Sequence, residues 1–314
     1  MGKIAFVFPG QGSQVVGMGK DLFEQFEPAA NLFKKADQKL NVSLTDLIFE
    51  GPKEELTLTH NTQPALLTTS IAILEHFKQF DIQPDYVAGH SLGEYSALIA
   101  AGVVSFEDGV YAVRKRGEYM QEAVPAGEGA MAAVLGLDRE QLTAVTLEVS
   151  DAGNSVQLAN LNCPGQIVIS GTTKGVELAG EKAKEAGAKR AIPLEVSGPF
   201  HSELMKPAAE KFASVLDDLD LVDAKIPVIA NVTAAPIQDK ADIKTKLVEQ
   251  LYSSVLWEDS VRNMLDLGVD TFIEIGPGKV LSGLIKKIDR KAKVYAVNDM
   301  ETSTKVAEEL KGDL

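Results

Sequence analysis

Residues 86–101 read YVAGHSLGEYSALIAA, an apolar run, a serine between two glycines and a second apolar stretch. The run Tyr86 to Gly89 predicts a buried strand, and Ser91 to Ala101 predicts a helix. A Gly-x-Ser-x-Gly pattern between a strand and a helix is typical of a strained turn that exposes a serine hydroxyl, because glycines remove side chains that would clash there. We interpret Ser91 as a candidate nucleophile; the alternative is a serine that only caps the helix.

Apolar runs bounded by glycine or proline alternate with longer amphipathic stretches on both sides of this segment. Ile4 to Phe8 and Thr271 to Ile275 predict further buried strands. The predicted helices are Gln63–Phe80, Phe106–Met120, Ser202–Leu219, Ile243–Tyr252, Glu258–Leu267 and Val280–Lys287. Such alternation is typical of a parallel sheet covered by helices.

The middle of the chain has a different order, βαββαβ, which is typical of a ferredoxin-like unit. Its predicted elements are strand Ala130–Leu135, helix Arg139–Val149, strands Val156–Asn160 and Ile167–Ser170, helix Lys174–Ala186 and strand Lys189–Leu194. Residues 161–165 (LNCPG) predict the hairpin connection between the two middle strands. Glycine and proline at Pro125–Gly129 and Ser197–Pro199 predict the crossings between domains. We expect a large α/β domain of residues 1–125 and 198–314, with residues 126–197 inserted as a small domain.

The composition is that of an acidic, folded chain: its 314 residues include 45 acidic and 31 basic side chains, for a net charge of −14. This charge disfavours nucleic acid and anionic membranes as partners, because both attract positive fields. A single cysteine, Cys163, excludes an internal disulfide and a cysteine-based zinc site. No apolar run reaches the roughly 18 residues of a membrane span, and the N-terminus lacks the apolar core of a secretory signal. We expect a cytoplasmic protein.

A serine nucleophile needs a base, and the chain has four histidines. His201 lies within residues 197–202 at a predicted domain crossing, where clefts and binding groups concentrate, and is the favoured base. His76 is expected on a helix at the core edge or surface, and His60 in a polar loop. His90 adjoins the serine in sequence, so its side chain is expected to point away and pack.

The loop Phe8–Gln14 directly follows the first predicted strand. Loops after parallel strands lie at the edge of the sheet where ligands bind. Its glycines match neither spacing of the phosphate-binding loops, which disfavours a nucleotide site. The alternative interpretation is a tight turn in which Gln11 is merely solvated.

Arg116 is the last candidate within the basic run Arg114-Lys115-Arg116. Its helical neighbours at three and four residues include Ala112, Val113 and Met120, so Arg116 is predicted on the apolar side of its helix. Arg114 and Lys115 are expected on the solvated side. A buried guanidinium needs an anion, and a substrate carboxylate is one that its bidentate fork can hold.

Several separated motifs, in order, resemble those of the malonyl-CoA:acyl carrier protein transacylases of bacterial dissociated fatty-acid synthesis. The resemblance extends along the whole chain. It rests on Phe8–Gln14, Gly89–Ala97, Arg116-Gly117 with Met120-Gln121, Gly198–Ser202 and Val248–Leu251. It implies an α/β-hydrolase-like large domain with a parallel sheet and an inserted ferredoxin-like βαββαβ domain, in agreement with the pattern above.

The resemblance also implies a role for each matching residue. Ser91 would be the nucleophile and His201 its general base and acid. The Gln11 region and the Leu92 amide would form the oxyanion hole, and Arg116 would bind the malonyl carboxylate. The main-chain carbonyl of Gln250 would orient the histidine in place of an acidic residue. Phe200 would favour malonyl over bulkier acyl groups.

The partners implied are malonyl-CoA and holo acyl carrier protein, with a CoA thioester as substrate and no bound cofactor or metal. The family is usually monomeric. Because the carrier is acidic, docking is expected at local basic pairs, for which Lys189-Arg190 and Lys286-Lys287 are candidates, although ordinary surface charge explains them equally well. The alternatives are a stand-alone acyltransferase of a polyketide pathway, a serine thioesterase or esterase, and a carrier-binding module without activity. An inward-facing arginine favours transfer of an anionic acyl group over the hydrolases.

Overall fold

A computed structural model describes residues 2–125, 127–196 and 198–312. Ala126 and Ser197, which we expected at the edges of the inserted domain, lie outside the described residues. Within the described residues the chain forms two sheets covered by helices.

The strands, in chain order, are β1 (Lys3–Phe8), β2 (Tyr86–Gly89), β3 (Gly129–Leu135), β4 (Val156–Cys163), β5 (Gln166–Thr172), β6 (Arg190–Pro193), β7 (Val228–Ile229), β8 (Pro236–Ile237), β9 (Val269–Ile275) and β10 (Lys293–Val297). The helices are α1 (Lys20–Gln25), α2 (Glu27–Leu40), α3 (Leu44–Glu50), α4 (Lys53–Thr57), α5 (Thr59–Phe77), α6 (Gly93–Ala100), α7 (Phe106–Glu122), α8 (Arg139–Asp151), α9 (Thr173–Glu185), α10 (Lys206–Asp217), α11 (Lys240–Gln250), α12 (Trp257–Asp266), α13 (Val280–Ile288) and α14 (Met300–Gly312). Short 3₁₀ turns cover Lys78–Phe80 and Glu203–Met205.

The larger sheet has the strand order β10-β9-β1-β2-β7-β8, and every neighbouring pair is parallel except β7 with β8. Successive side chains of the central strand β1 point alternately into two apolar cores, because helices cover both faces of the sheet. Phe6 and Phe8 pack on the side of α5, whereas Ala5 and Val7 pack with Trp257 of α12. The parallel α/β arrangement predicted from the alternating pattern is confirmed.

The smaller sheet has the order β4-β5-β3-β6, is antiparallel, and is formed entirely by residues 129–193. Helices α8 and α9 pack against it through a separate apolar cluster. The β4 strand also joins the rest of the molecule, because Leu161 N donates to Val255 O at 2.9 Å and Val255 N donates to Ala159 O at 2.8 Å.

The expected five-residue hairpin connection at 161–165 is wrong. The strands extend to Cys163 and from Gln166, which leaves only Pro164 and Gly165 in the turn. Proline presets φ for the first turn position and Gly165, with φ of 71°, supplies the left-handed second position. Main-chain bonds from Leu161 to neighbouring elements lengthen the strand, and local turn propensity could not reveal them.

Helix α5 begins one turn earlier than predicted, at Thr59 instead of Gln63. Pro64 suggested a helix start, because proline is favoured in the first turn. The proline instead leaves the carbonyl of His60 without its helical donor, and Arg114 Nη1 donates to that oxygen at 3.2 Å. Two expectations are corrected here: His60 lies in a helix, not a loop, and Arg114 is not simply solvated.

The chain from residue 20 to 57, which carried no prediction, forms helices α1 to α4, of which α2 has 14 residues and the other three have five to seven. Strands β7 and β8, strand β10 and helix α14 were also not predicted. Most of these elements are too short for a periodic signal to appear in the sequence. No helix in the described part of the chain is long and apolar enough to cross a membrane.

Candidate active site

The carboxyl ends of β1, β2 and β7 meet at one edge of the large sheet, and the loop after each strand contributes to one site. Residues Phe8 and Gly89 are partners in the register of β1 and β2, and His90 N donates to Phe8 O at 3.1 Å. Ligands bind at this edge in parallel α/β sheets. The topology therefore brings the loop after β1 against the serine turn after β2.

Ser91 lies in a left-handed backbone conformation at the end of β2, with φ of 52°. The chain turns there into α6, and Glu94 N donates to Ser91 O at 3.1 Å. A Cβ atom at Gly89 would overlap the backbone of Gly93, and one at Gly93 would overlap the carbonyl of Phe8. Gly93 is therefore required for the close approach of this turn to β1, and Gly89 for the close approach of β2 to the start of α6.

His201 faces the serine hydroxyl, with 2.8 Å between Nε2 and Ser91 Oγ. Its Nδ1 lies 2.7 Å from the main-chain oxygen of Gln250, which only accepts, so Nδ1 carries the proton and donates. Nε2 is then the acceptor for the serine proton. Burial, and then the positive charge of Arg116, lower the pKa of His201 to about 3. The imidazole is therefore neutral near pH 7, the state a general base requires.

The histidine is held in an unusual conformation by its surroundings. His201 is 3% exposed and has a left-handed φ of 57°. Gln157 of β4 donates from Nε2 to the main-chain oxygen of His201 at 3.3 Å and accepts from the amide of Glu203 at 2.9 Å. A side chain of the small sheet thus anchors the loop that carries the histidine.

Arg116 is 1% exposed and reaches the serine from α7. Its Nη2 donates to Ser91 Oγ at 3.0 Å and to Gln250 Oε1 at 2.8 Å, and its Nη1 donates to Gln63 Oε1 at 2.9 Å. Among the described residues its Nε has no partner, and no carboxylate bonds to the guanidinium. Burial lowers the pKa of Arg116, and the Tyr95 ring lies 5.5 Å from the guanidinium carbon. The guanidinium is therefore a desolvated cation that has no carboxylate partner among the described residues.

A cavity of about 120 Å³ opens in front of Ser91. Its lining includes the three side chains just described together with Gln11 and Leu92, and its apolar wall is formed by Met120, Met131, Val168, Leu194, Val196 and Phe200. Leu92 stands at the N-terminus of α6, where main-chain amides point outward. Within the described residues, the amides of Gln11 and Leu92 have no main-chain acceptor.

A second cavity of about 310 Å³ adjoins the first and leads outward. The two share Gln11, His90, Asn160, Val168 and Leu194. Gly12, Asn162, Gln166 and Val280 line only the outer cavity. A long, narrow group entering from the surface can therefore reach Ser91 along the junction of the two sheets.

Among the described residues, the remaining histidines make no hydrogen bond to Ser91 or His201 through their side chains, although His90 lines both cavities. His90 points away from Ser91, with Nε2 2.8 Å from Asn162 Oδ1 and its ring 5.8 Å from that of Trp257. His76 is 6% exposed, between the rings of Phe26 and Phe80. The prediction that His90 packs is confirmed, and His76, which was expected at the core edge or the surface, is buried.

Sequence reasoning missed Asn231, which follows β7. Its Oδ1 accepts from Ser91 N at 2.7 Å and its Nδ2 donates to Gly89 O at 2.7 Å, so it clamps the serine turn. The signal that could have found it is a polar residue directly after an apolar strand of a parallel sheet. The strand is only two residues long, which is too short for that signal to be recognised.

Residues 5–310 match the family model of the acyl transferase domain. A serine at a strand-to-helix turn with a neutral histidine beside it is an arrangement that suits acyl transfer through a serine ester. The fold, the site and the family match define an acyltransferase.

The relatives narrow the class. The chain is 68% identical over 302 residues to the malonyl CoA-acyl carrier protein transacylase of Bacillus subtilis, with 96% of this chain and 95% of the relative covered. An acyl carrier protein S-malonyltransferase from Vibrio cholerae has a TM-score of 0.94 at 48% identity, covering 97% of this chain and 99% of that one. A malonyl-transacylase solved with a type II polyketide acyl-carrier protein has a TM-score of 0.95 at 45% identity, covering 98% and 99%. The chain belongs to the malonyl CoA-acyl carrier protein transacylase family.

Proposed function

We propose that the protein transfers the malonyl group of malonyl-CoA to the phosphopantetheine thiol of holo acyl carrier protein, through a malonyl ester of Ser91. The observation that carries the proposal is the contact of Ser91 Oγ with both His201 Nε2, at 2.8 Å, and Arg116 Nη2, at 3.0 Å. The proposed base and the proposed carboxylate-binding group thus both contact the proposed nucleophilic oxygen. The family relationship supports the same chemistry.

In the first half of the reaction, His201 Nε2 takes the serine proton as Ser91 Oγ attacks the thioester carbonyl. The carbonyl oxygen becomes negative, and the amides of Leu92 and the Gln11 region are the donors proposed to stabilise it. The carbon–sulfur bond then breaks, and CoA leaves as a thiol with the proton that His201 held. The Gln250 carbonyl keeps Nδ1 protonated throughout and stabilises the transient imidazolium.

In the second half, the carrier's pantetheine thiol replaces CoA in the outer cavity. His201 takes the thiol proton, the sulfur attacks the ester, and Ser91 leaves with that proton restored. Malonyl thioester and free enzyme result, so the transfer is ping-pong. No bound cofactor or metal takes part in these steps, and CoA enters only as a substrate thioester.

Arg116 is the proposed site of the malonyl carboxylate. Binding of that carboxylate would neutralise the charge that helps to lower the pKa of His201. The base would then become stronger when the correct substrate is present. Phe200, 5% exposed in the cavity wall, would limit substituents on the acyl group.

Replacing Arg116 with alanine is expected to reduce malonyl preference far more than acetyl transfer. Loss of one partner from a buried charge pair costs about 2–5 kcal/mol, or roughly 30-fold to several thousand-fold in relative rate. Rates of Ser91 acylation from malonyl-CoA and acetyl-CoA, measured separately, give the ratio. Lys115→Ala, the adjacent residue ion-paired with Glu118, is the control expected to keep the wild-type ratio. An unchanged ratio in the Arg116 variant would contradict the assignment.

We further propose that the two sheets mark two units: an α/β-hydrolase-like body of residues 1–125 and 198–314, and a ferredoxin-like insertion of residues 126–197. The strand order β4-β5-β3-β6 with two helices on one face supports the second unit. The cavities lie where the two sheets face each other. We also propose that the protein acts as a monomer in the cytoplasm.

Carrier docking is proposed beside the outer cavity, at Lys287 and at Lys189 and Arg190 of the smaller sheet. Leu135 is the sheet partner of both Arg190 and Gln166, and Lys287 Nζ donates to Gln166 Oε1 at 3.0 Å. Gln166 lines the outer cavity, so Lys287 lies at its edge, whereas Lys189 and Arg190 lie on β6 or next to it, two strands from Gln166. This local positive patch suits an acidic carrier on an otherwise acidic protein.

Lys286 differs from these three. Its Nζ donates to Ala292 O at 2.6 Å, which ties it to the backbone after its own helix. It is the weakest of the four docking candidates.

The proposed function is tested by intact-protein mass spectrometry. Wild-type protein mixed with malonyl-CoA is expected to gain one malonyl group, and holo acyl carrier protein is expected to remove that group and become malonylated. The adduct must survive in buffer alone; loss to water at the same rate would identify a thioesterase. Fatty-acid and type II polyketide carriers are compared, because a structural relative was solved with a polyketide carrier.

The same assay tests the docking patch. Reversing Lys189, Arg190 and Lys287 to glutamate is expected to slow discharge onto the carrier and to leave acylation by malonyl-CoA less affected. Reversing the exposed Lys34, Lys53 and Lys240, on α2, α4 and α11 and outside both cavity linings, is the control with the same change in net charge. Discharge at the wild-type rate in the triple variant would place docking elsewhere.

A further inference from the structure

A carboxyl group is buried directly beneath the serine turn. Glu94 lies on α6, is 1% exposed, and takes no part in the acyl transfer proposed above. Its Oε2 accepts from Gln250 Nε2 at 2.7 Å and from Asn231 N at 3.2 Å. An ionisable group so fully desolvated is costly to keep unless it has a role or strong partners.

The first partner leads to the catalytic base. Gln250 is fully buried and ends α11, and its main-chain oxygen accepts from His201 Nδ1. Its side chain is bound at both ends, since Oε1 accepts from Arg116 and Nε2 donates to Glu94 and, at 3.1 Å, to Ser91 O. Fixing this side chain fixes the residue whose carbonyl orients the histidine.

The second partner leads to the nucleophile. Asn231 donates its amide to Glu94 while its side chain bonds to Ser91 N and Gly89 O, both at 2.7 Å. These two bonds hold the strained backbone on either side of His90. One carboxyl oxygen thus connects, through two amide-bearing residues, to both catalytic groups.

We propose that Glu94 is the positioning residue that holds the nucleophile and the base in register, acting through Asn231 and Gln250. This inference rests on the proposed acyl transfer at Ser91. No acidic residue in the described chain bonds to His201. Glu94 acts on the histidine indirectly, through the one intervening residue Gln250. It touches neither substrate nor reacting atoms, so its effect is on geometry.

The ionisation of Glu94 gives this role a measurable signature. Burial raises the pKa of Glu94 to about 7, opposed by the bonds from Gln250 and Asn231 and by the positive charge of Arg116. The charged and titratable groups that interact with it are Arg116 on α7 and Tyr95 on α6. The carboxylate accepts stronger hydrogen bonds than the neutral acid. Acylation should therefore slow as the pH falls through about 7 and Glu94 becomes protonated.

The test compares Glu94→Gln with wild type in single-turnover acylation by malonyl-CoA and by acetyl-CoA. The variant retains the size of the side chain and one acceptor oxygen but not the charge. Above pH 8, both acyl donors are expected to react roughly tenfold more slowly, with an unchanged malonyl-to-acetyl ratio. As the pH falls below about 6, the wild-type rate should approach that of the variant, whose own profile should lack the step near 7.

Glu274 provides the matched control, because it is also fully buried and accepts bonds from main-chain amides, at Leu281 and Ser282, but has no bond to Asn231 or Gln250. Glu274→Gln is expected to keep the step near pH 7. A wild-type profile that is flat from about pH 5.5 to 8 overturns the inference without any variant. The inference is also overturned if the step near pH 7 persists in Glu94→Gln, or if that variant loses acylation rate only with malonyl-CoA. Failure of wild type to acylate at all would instead refute the proposed function.

Discussion

Ser91→Ala is expected to form no malonyl adduct under conditions in which wild-type protein is fully acylated. The hydroxyl is the only group proposed to bond covalently to the acyl carbon, and removal of a serine nucleophile from comparable dyads and triads costs on the order of 10⁶ in turnover. The measurement is intact mass after mixing with malonyl-CoA, followed by addition of the carrier. The arginine and histidine that surround the hydroxyl should still bind substrate, so affinity for malonyl-CoA should survive.

Ser96→Ala is the matched control for this change. Ser96 lies on the same helix, is fully buried, and its hydroxyl has no partner within the described residues, so its removal leaves no bond broken. The Ser96→Ala protein should form the malonyl adduct at the wild-type rate. A malonyl adduct on Ser91→Ala protein would show that another residue is the nucleophile and would refute the proposed mechanism.

His201→Asn is expected to slow both half-reactions by roughly 10²- to 10⁴-fold, the usual contribution of a positioned general base. Asparagine is preferred to alanine because the residue has a left-handed φ of 57°, which asparagine tolerates better. The measurement is the single-turnover rate of acylation and, separately, of discharge onto the carrier. Both should fall together, because one imidazole takes the proton in each step.

The control for this histidine is His60→Asn. His60 lies at the start of α5, with Nδ1 2.9 Å from Gln121 Oε1, and does not line either cavity. Since the pKa of His201 is lowered to about 3, wild-type acylation by acetyl-CoA, which brings no carboxylate to Arg116, should lose its neutral base only as the pH falls toward that value. This loss is separate from the step expected near pH 7 for Glu94. Unimpaired acylation in His201→Asn would show that another group removes the serine proton.

The sequence was sufficient to predict those functional residues whose placement depends on residues near them in the chain. The serine turn between β2 and α6 was predicted because the glycines, the preceding apolar run and the following helix all lie within residues 86–101. Arg116 was predicted to be buried because helical periodicity places it beside apolar neighbours of α7. The structure confirms the burial, and its role stays a proposal.

The positions that sequence analysis missed depend on contacts between distant parts of the chain. The start of α5 was misplaced because the carbonyl left free by Pro64 is bonded by Arg114, which lies on another helix. The hairpin after β4 was predicted too long because Leu161 bonds to Val255. Neither interaction leaves a periodic trace in the residues around it.

The sequence by itself determined the class of fold and the chemical groups available to it, because hydrophobic periodicity and turn propensity are properties of neighbouring residues. Only the tertiary structure decided how those groups are held. Ser91 and Asn231 are 140 residues apart in the chain, and Glu94 and Gln250 are 156 apart, yet each pair is joined by a hydrogen bond of 2.7 Å. Hydrogen bonds of that length are set by strand order and by helix packing, and these arise only when the whole chain is folded.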